Sequence, residues 1–197
     1  MTLKRALDIF GALAGLGLIA PFVPFIALAI KLDDNGSIFI KLPRVSEGKV
    51  IFVYKFRSMS TNAHLQKASL NHLNERTDGP FFKIKNDPRL TFVGKFLRKF
   101  RLDEFPQLIN VLKGELALVG PRPHEPEEVI LYPKEYQHIV FAKSGATGLS
   151  QVNGASSLPF LEELKLDSHY LEKQSLTLDA KIITKTIKII LTDSNAV

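Results

Sequence analysis

The chain has 197 residues, 45% hydrophobic and 23% charged, with a formal net charge of +6. That length allows one domain with a real core and an appended element. The positive charge favours anionic partners: nucleic acid, anionic lipid or phosphorylated small molecules. With no cysteine, disulfide frameworks and thiolate metal sites are excluded. The histidines (His64, His72, His124, His138, His169) are scattered without an i,i+3 or i,i+4 pair, which argues against zinc.

From Ile9 to Ile30 no side chain is charged or polar. As a helix rising about 1.5 Å per residue, this run is about 33 Å long, one hydrocarbon core. It is long for a signal-peptide core and lacks an A-x-A cleavage site. Being apolar all round, it does not read as a half-exposed helix of a soluble domain. A membrane location is expected. Pro21 and Pro24 break the helix past its middle, which a bilayer tolerates where the freed carbonyls find partners. Lys4 and Arg5 precede the run and Lys31 follows it. If both ends obey the positive-inside rule, the chain enters and turns back at the prolines. A kinked single span is the alternative, and the residues alone leave both open.

Residues 38–60 alternate apolar and polar around Ser46-Glu47-Gly48, as a β-hairpin does. Residues 62–79 are polar and read as a helix fragment and a mobile loop. The stretch 81–90, FFKIKNDPRL, reads as a short strand entering an Asn-Asp-Pro turn. Between Phe81 and Arg101 seven bases (Lys83, Lys85, Arg89, Lys95, Arg98, Lys99, Arg101) face one acid, Asp87. In VGKFLRKFRL, 93–102, Phe96, Leu97 and Phe100 share one helical face, while Lys95, Arg98 and Lys99 crowd another. That is the pattern of a helix lying in a headgroup layer; a solvated basic face over an ordinary core is the plainer alternative. Asp103 then falls as an N-cap, with Glu104, Phe105 and Pro106 filling the first turn of a helix that stops at Gly114. ELALVGPRP, 115–123, is a strand leading into a rigid Pro-Arg-Pro turn. Residues 125–128 and 162–172 are richer in acids. Near the end, LDAKIITKTIKIIL carries Ile182, Ile183, Ile187, Ile190 and Leu191 on one side and Lys181, Lys185 and Lys188 on the other. This is a second basic amphipathic helix. No linker divides residues 31–197.

The adjacent carboxylates Asp103 and Glu104 carry the chemical interest. An aspartate at a helix start is held ionised and can have a phosphate bound beside it. Two neighbouring carboxylates and a phosphate make an oxygen-rich site suited to Mg²⁺, and an ionised aspartate can attack a phosphoryl group. A simple N-cap followed by one more first-turn acid is the plain reading. Arg98, Arg101 and Arg122, the last between two prolines, supply the charge clamp that phosphoryl transfer needs.

Together KRALDI (4–9), YKFRSM (54–59), KIKNDPRL (83–90), LRKFRLDEFPQLINVLKGELALVGPRP (97–123) and TGLSQVNG (147–154) resemble the bacterial sugar transferases. These are the monotopic phosphoglycosyl transferases, and the resemblance runs from Lys4 to about Leu191. It covers the catalytic module, without the extra N-terminal membrane helices of the larger members. It implies an α+β fold: a re-entrant membrane helix over 1–32, then a small helix-rich catalytic domain over 33–197 with a short hairpin and interfacial amphipathic helices. The implied location is the cytoplasmic face of the bacterial inner membrane.

The implied reaction moves a sugar 1-phosphate from a UDP-sugar to polyprenol (undecaprenyl) phosphate, releasing UMP, with Mg²⁺. It would be the first membrane step of a surface glycan such as a capsule or exopolysaccharide. Asp103 matches the nucleophile that becomes an aspartyl phosphosugar, and Glu104 its partner; the same two residues are the implied metal ligands. Arg98, Arg122 and Arg57 match phosphate or nucleotide contacts. The implied partners are therefore UDP-sugar, polyprenol phosphate and the lipid bilayer, and not nucleic acid. The rival class, a non-catalytic membrane-tethered basic protein binding anionic lipid or nucleic acid, explains the charge but neither the acid pair nor the Pro-Arg-Pro turn. There are departures from the family pattern. Ala20-Pro21, with Pro24, stands where Ser-Pro is usual. Lys143-Ser144-Gly145 replaces Arg-Pro-Gly, and Ala155 replaces an arginine, leaving less positive charge on the expected sugar side.

Overall fold

The computed structural model describes residues 2–154 and 157–192; Ala155 lies outside them. The apolar run forms α1 (Leu3–Ile19), a 3-10 turn at Ala20–Phe22 and α2 (Val23–Asp33). The tightening falls where Pro21 removes a backbone N–H. The continuous element, Leu3–Asp33, is long and apolar enough to cross a membrane, and its most apolar window has a mean hydropathy of 2.3. Only 11% of its most apolar window is buried, the reverse of a core helix. Phe10, Leu18, Phe22, Phe25 and Leu32 all project outward, each more than half exposed.

A narrow strip of the same element belongs to the body. Ala12 packs with Val53, Val111 and Leu116, and Ile19, Ile26 and Ile30 pack with Phe56 and Leu97. Both ends are also tied down. Arg5 donates to the carbonyls of Val111 (2.6 Å) and Leu112 (2.7 Å) at the end of α4 (Gln107–Lys113), where a helix leaves acceptors free. Lys4 reaches the carbonyl of Val119 (3.1 Å) and Asp179 (2.6 Å). At the far end Asp33 accepts from the N–H of Val93 (2.7 Å) at the start of α3 (Phe92–Lys99). Lys4 and Arg5 are therefore internal bonds of the domain as well as flanking charges.

β1 (Phe39–Ser46) and β2 (Lys49–Phe56) pair antiparallel from Phe39↔Phe56 to Ser46↔Lys49. Glu47 (φ 53°) and Gly48 (φ 69°) are both left-handed, the two-residue turn that suits hairpin twist. Residues 62–79 hold two short 3-10 turns, Ala63–Gln66 and Asn71–Leu73. The strand expected at the start of 81–90 does not form. Its backbone is occupied locally instead: Lys83 donates to the Asn74 side chain (2.9 Å) and accepts from the N–H of Glu75 (2.9 Å). That leaves no ladder partner for a strand.

Thr91 caps α3 by accepting from the N–H of Gly94 (3.0 Å). A Cβ on Gly94 would overlap the Ser58 carbonyl, so glycine lets this helix seat directly on the chain leaving β2. The apolar face expected on α3 is split. Leu97 enters the core, whereas Phe92 and Phe96 stay exposed beside Lys95 and Lys99. The Asp103 N-cap is also corrected. Asp103 sits in a separate 3-10 turn, Leu102–Glu104, and α4 begins only at Gln107 with Pro106 before it. The cause is Arg101, whose left-handed backbone (φ 55°) redirects the chain before α4 can start. α4 ends at Gly114 as expected.

β3 (Ala117–Val119) lies parallel to β4 (Gly145–Thr147). Between them come the Pro-Arg-Pro turn, the one-turn α5 (Pro126–Val129) and a 3-10 stretch, Lys134–Phe141. α6 (Leu149–Val152), α7 (Phe160–Glu172) and α8 (Leu176–Thr192) complete a mostly helical body with two small sheets. α7 covers the acid-rich stretch that composition alone showed only as charge. On α8 the apolar row divides: Ile182 is buried against Val119, Val152 and Tyr170, while Ile187 and Leu191 face outward.

Candidate active site

The turn at Arg101 sets Leu102 and Phe105 against Ile19, Ile26 and Ile30. The residues between them, Asp103 and Glu104, are thereby fixed at the foot of the apolar helix. Asp103 is 6% exposed, and burial pushes its carboxyl up to about 6, against the pull of Lys55 and with the charge of Glu104 adding to the rise. Glu104 goes the other way. Burial opposes ionisation there too, but Lys55 and Arg122 outweigh it and hold the carboxyl down to about 2. The Lys55 ammonium donates to Glu104 Oε1 at 2.6 Å. Two adjacent carboxylates thus have different duties at neutral pH: Glu104 is a fixed charge, and Asp103 is ionised but only just.

Pro121 and Pro123 have no N–H, so the N–H of Arg122 is the only backbone donor in that turn. It goes to Asp167 Oδ2 at 3.0 Å. Arg122 Nε also faces Glu163 Oε1 at 3.8 Å. Glu163 and Asp167 stand one turn apart on α7 and are 1% and 0% exposed. Glu163 further pairs with His124 Nε2 (3.1 Å) and Arg76 (3.7 Å), and the other nitrogen of His124 bonds the Tyr132 hydroxyl. Against burial, His124, Arg122 and Arg76 hold the Glu163 carboxyl below its ordinary range. Burial pushes Asp167 up to about 6. Arg122 is also charged against Glu104, so its guanidinium links the acid pair to α7.

Arg98 donates to the Ser58 hydroxyl (3.0 Å), and its charge bears on Asp103. The acid pair is thus in the field of both arginines, Asp103 in that of Arg98 and Glu104 in that of Arg122. Arg57 does not join them. It is 6% exposed and its donors go to the Ser37 carbonyl (2.6 Å), the Asp34 carboxylate (2.6 Å), the Asp34 carbonyl and the Thr61 hydroxyl (3.0 Å). It fastens the exit of α2 to the end of β2. Sequence reasoning missed Lys55, although that residue lies inside the YKFRSM motif. It also missed Glu163 and Asp167, whose i,i+4 spacing with buried Tyr170 further along the helix was the available signal.

Among the described residues, no group of three or more histidine, aspartate or glutamate side chains could hold a metal. Two carboxylates with the remaining positions supplied by phosphate oxygens and water is nevertheless a donor set that Mg²⁺ accepts. Asp103 and Glu104 offer two such carboxylates, with Glu104 Oε1 already engaged by Lys55.

The family model for bacterial sugar transferases matches residues 1–193. The chain is 39% identical over 194 residues to the galactosyl transferase CpsE of Streptococcus agalactiae, covering 98% of this chain and 43% of that protein. It is 38% identical over 192 residues to the undecaprenyl-phosphate galactose phosphotransferase of Salmonella typhimurium, covering 96% of this chain and 40% of that one. The chain therefore spans less than half the length of these two relatives. With the exopolysaccharide production protein PSS of Rhizobium leguminosarum bv. phaseoli it shares 37% identity over 199 residues, 95% of this chain and 94% of the relative. On that full-length match, the chain belongs to the bacterial sugar transferase family.

Proposed function

We propose that this chain transfers a sugar 1-phosphate from a UDP-sugar to polyprenol phosphate, releasing UMP, at the cytoplasmic face of the bacterial inner membrane. One observation carries the reading: a buried aspartate, next to a carboxylate neutralised by Lys55, flanked by Arg98 and Arg122 at the foot of an apolar, outward-facing helix. A soluble donor and a lipid acceptor can both reach such a place. The relatives named for galactose phosphotransfer to undecaprenyl phosphate and for exopolysaccharide production support the same chemistry.

In the first step an Asp103 carboxylate oxygen attacks the β-phosphorus of the donor. An O–P bond forms, the bond from that phosphorus to the bridging oxygen breaks, and UMP leaves with the bridging oxygen and its electron pair. In the second step a phosphate oxygen of the polyprenol carrier attacks the same phosphorus, and Asp103 departs as a carboxylate. Nucleophiles and leaving groups are ionised oxyanions at neutral pH, so neither step needs a general acid or base. Glu104, held near 2, could not serve as one; its part is to position Lys55 and keep the local field fixed. Arg98 and Arg122 offset charge on the phosphates. Mg²⁺, when bound by Asp103 and Glu104, supplies further neutralisation of the phosphate oxygens.

Arg122→Ala should raise the donor KM tenfold or more, because a desolvated arginine–phosphate contact is worth about 1.5–3 kcal/mol. Steady-state UMP release checks this, and an unchanged KM and kcat would remove Arg122 from the phosphate site.

The topology reading is re-entrant, and the bonds from Arg5 and Asp33 to one and the same domain support it. Cysteines introduced at Thr2 and Lys31 should both be labelled from the cytoplasmic side of sealed vesicles. Labelling at position 2 from the periplasmic side alone would contradict re-entry. Exposed Phe92, Phe96, Lys95 and Lys99 make α3 a second membrane contact.

A further inference from the structure

Beside Arg122 the body opens into a cavity of about 150 Å³. Arg44, Lys83 and Arg122 meet the carboxylates Glu125, Glu128 and Glu163 around it. The chemistry of its walls narrows what could enter. Arg76 lines it too but is paired with Asp78 and Glu163, so charge in the wall is nearly balanced, and the donor's phosphates, which must meet Asp103, are better served between Arg122 and the acid pair. A uracil base would need an open aromatic face, and none is free. Phe81 is stacked on His124 at 4.4 Å and carries Arg76 at 4.8 Å, while Phe82 carries Arg89 at 5.3 Å and Lys67 at 5.7 Å.

A sugar ring has the opposite needs. Each hydroxyl both donates and accepts, so a wall of interleaved cations and carboxylates can satisfy several at once. The volume, smaller than the roughly 300–1,000 Å³ of drug-sized pockets, suits one ring. Bonding capacity is available there. The Lys83 ammonium has no hydrogen-bond or ion-pair partner among the described residues. Glu128 gives one oxygen to the N–H of Glu125 (2.8 Å) and keeps the other. Arg44 spends one nitrogen on the Pro43 carbonyl (2.7 Å) and Glu125 (3.3 Å). Arg122, shared by the cavity and the acid pair, would sit beside the phosphate attached to a ring lodged here.

We infer that this cavity seats the sugar of the donor, and that Lys83, Glu128 and Arg44 read its hydroxyls and so set which sugar is transferred. The inference rests on the reading of the chain as a UDP-sugar transferase. The test uses the full chain in nanodiscs with UDP-galactose, UDP-glucose and UDP-N-acetylgalactosamine as donors, comparing the unmodified protein with Lys83→Met and Glu128→Gln. The ratio of kcat/KM between donors should shift by at least about tenfold in either variant, as when a hydroxyl-reading group is lost, while inhibition by UMP stays within about twofold. In the unmodified protein, the sugar donors should shield Lys83 from amine acetylation and UMP should not. Unchanged donor ratios in active variants, or equal shielding of Lys83 by UMP, would overturn the assignment. An unmodified protein that releases UMP from no donor defeats the functional reading itself, and this inference with it.

Discussion

Asp103→Asn should abolish turnover while making the protein more stable. The amide keeps the size of the side chain but has no anionic oxygen to attack phosphorus, so UMP release should fall by roughly 10⁴-fold or more. Stability should move the other way because burial raises the Asp103 carboxyl to about 6. A folded state that binds the proton more tightly than the unfolded chain loses stability as pH rises from about 4 to about 6. At pH 7 the ionised group therefore costs the fold up to about 3 kcal/mol, and the asparagine variant should regain about 1–3 kcal/mol of it. Denaturant titration at pH 5 and pH 8 separates the cases: the gain should be larger at pH 8. In the unmodified enzyme kcat/KM should decline below pH of about 6, as the nucleophile takes up its proton. A variant that loses both activity and stability would point to a structural role for Asp103.

Glu163→Ala is expected to be the most damaging change outside the acid pair. This fully buried carboxylate answers His124, Arg122 and Arg76 together, and its removal takes an acid partner from both arginines and an acceptor from His124. Breaking a buried pair by deleting one partner costs about 3–5 kcal/mol. The donor KM should rise as well, since Arg122 loses its contact with Glu163 and keeps on α7 only the backbone bond to Asp167. Glu163→Gln keeps an acceptor for His124 and should cost less on both counts. Equal losses from alanine and glutamine would mean that charge matters here and hydrogen bonding does not. Thermal unfolding and donor kinetics on the two variants give the answer.

Local signals carried much of the fold. The hairpin followed from its period-2 pattern and Glu47-Gly48, the end of α4 from Gly114, and the long apolar helix from an uninterrupted apolar run. The errors share a physical origin in tertiary bonding that no local pattern encodes. Residues 81–84 have strand-like composition, but strands need partners, and the Asn74 side chain occupies that backbone. Asp103 has the look of an N-cap, yet the left-handed Arg101 begins a separate turn and burial, not a helix dipole, sets its proton affinity. For Arg57, which lies in a recognisable motif, no local pattern foretold the bonds of its guanidinium to Asp34 and Ser37. The acids of α7 stood out only as local charge, because composition cannot tell inward from outward. Only the packing of α7 under the Pro-Arg-Pro turn gives Glu163 and Asp167 a role.

The central claim is that phosphorus passes through Asp103. Mixing the enzyme with UDP-sugar and Mg²⁺ in the absence of polyprenol phosphate, followed by acid quench and peptide mass spectrometry, tests it directly. The account predicts a sugar-phosphate adduct on Asp103, formed together with UMP and discharged when polyprenol phosphate is added. An unmodified Asp103 under conditions where the same preparation turns over, with UMP appearing only after the lipid acceptor, would contradict it.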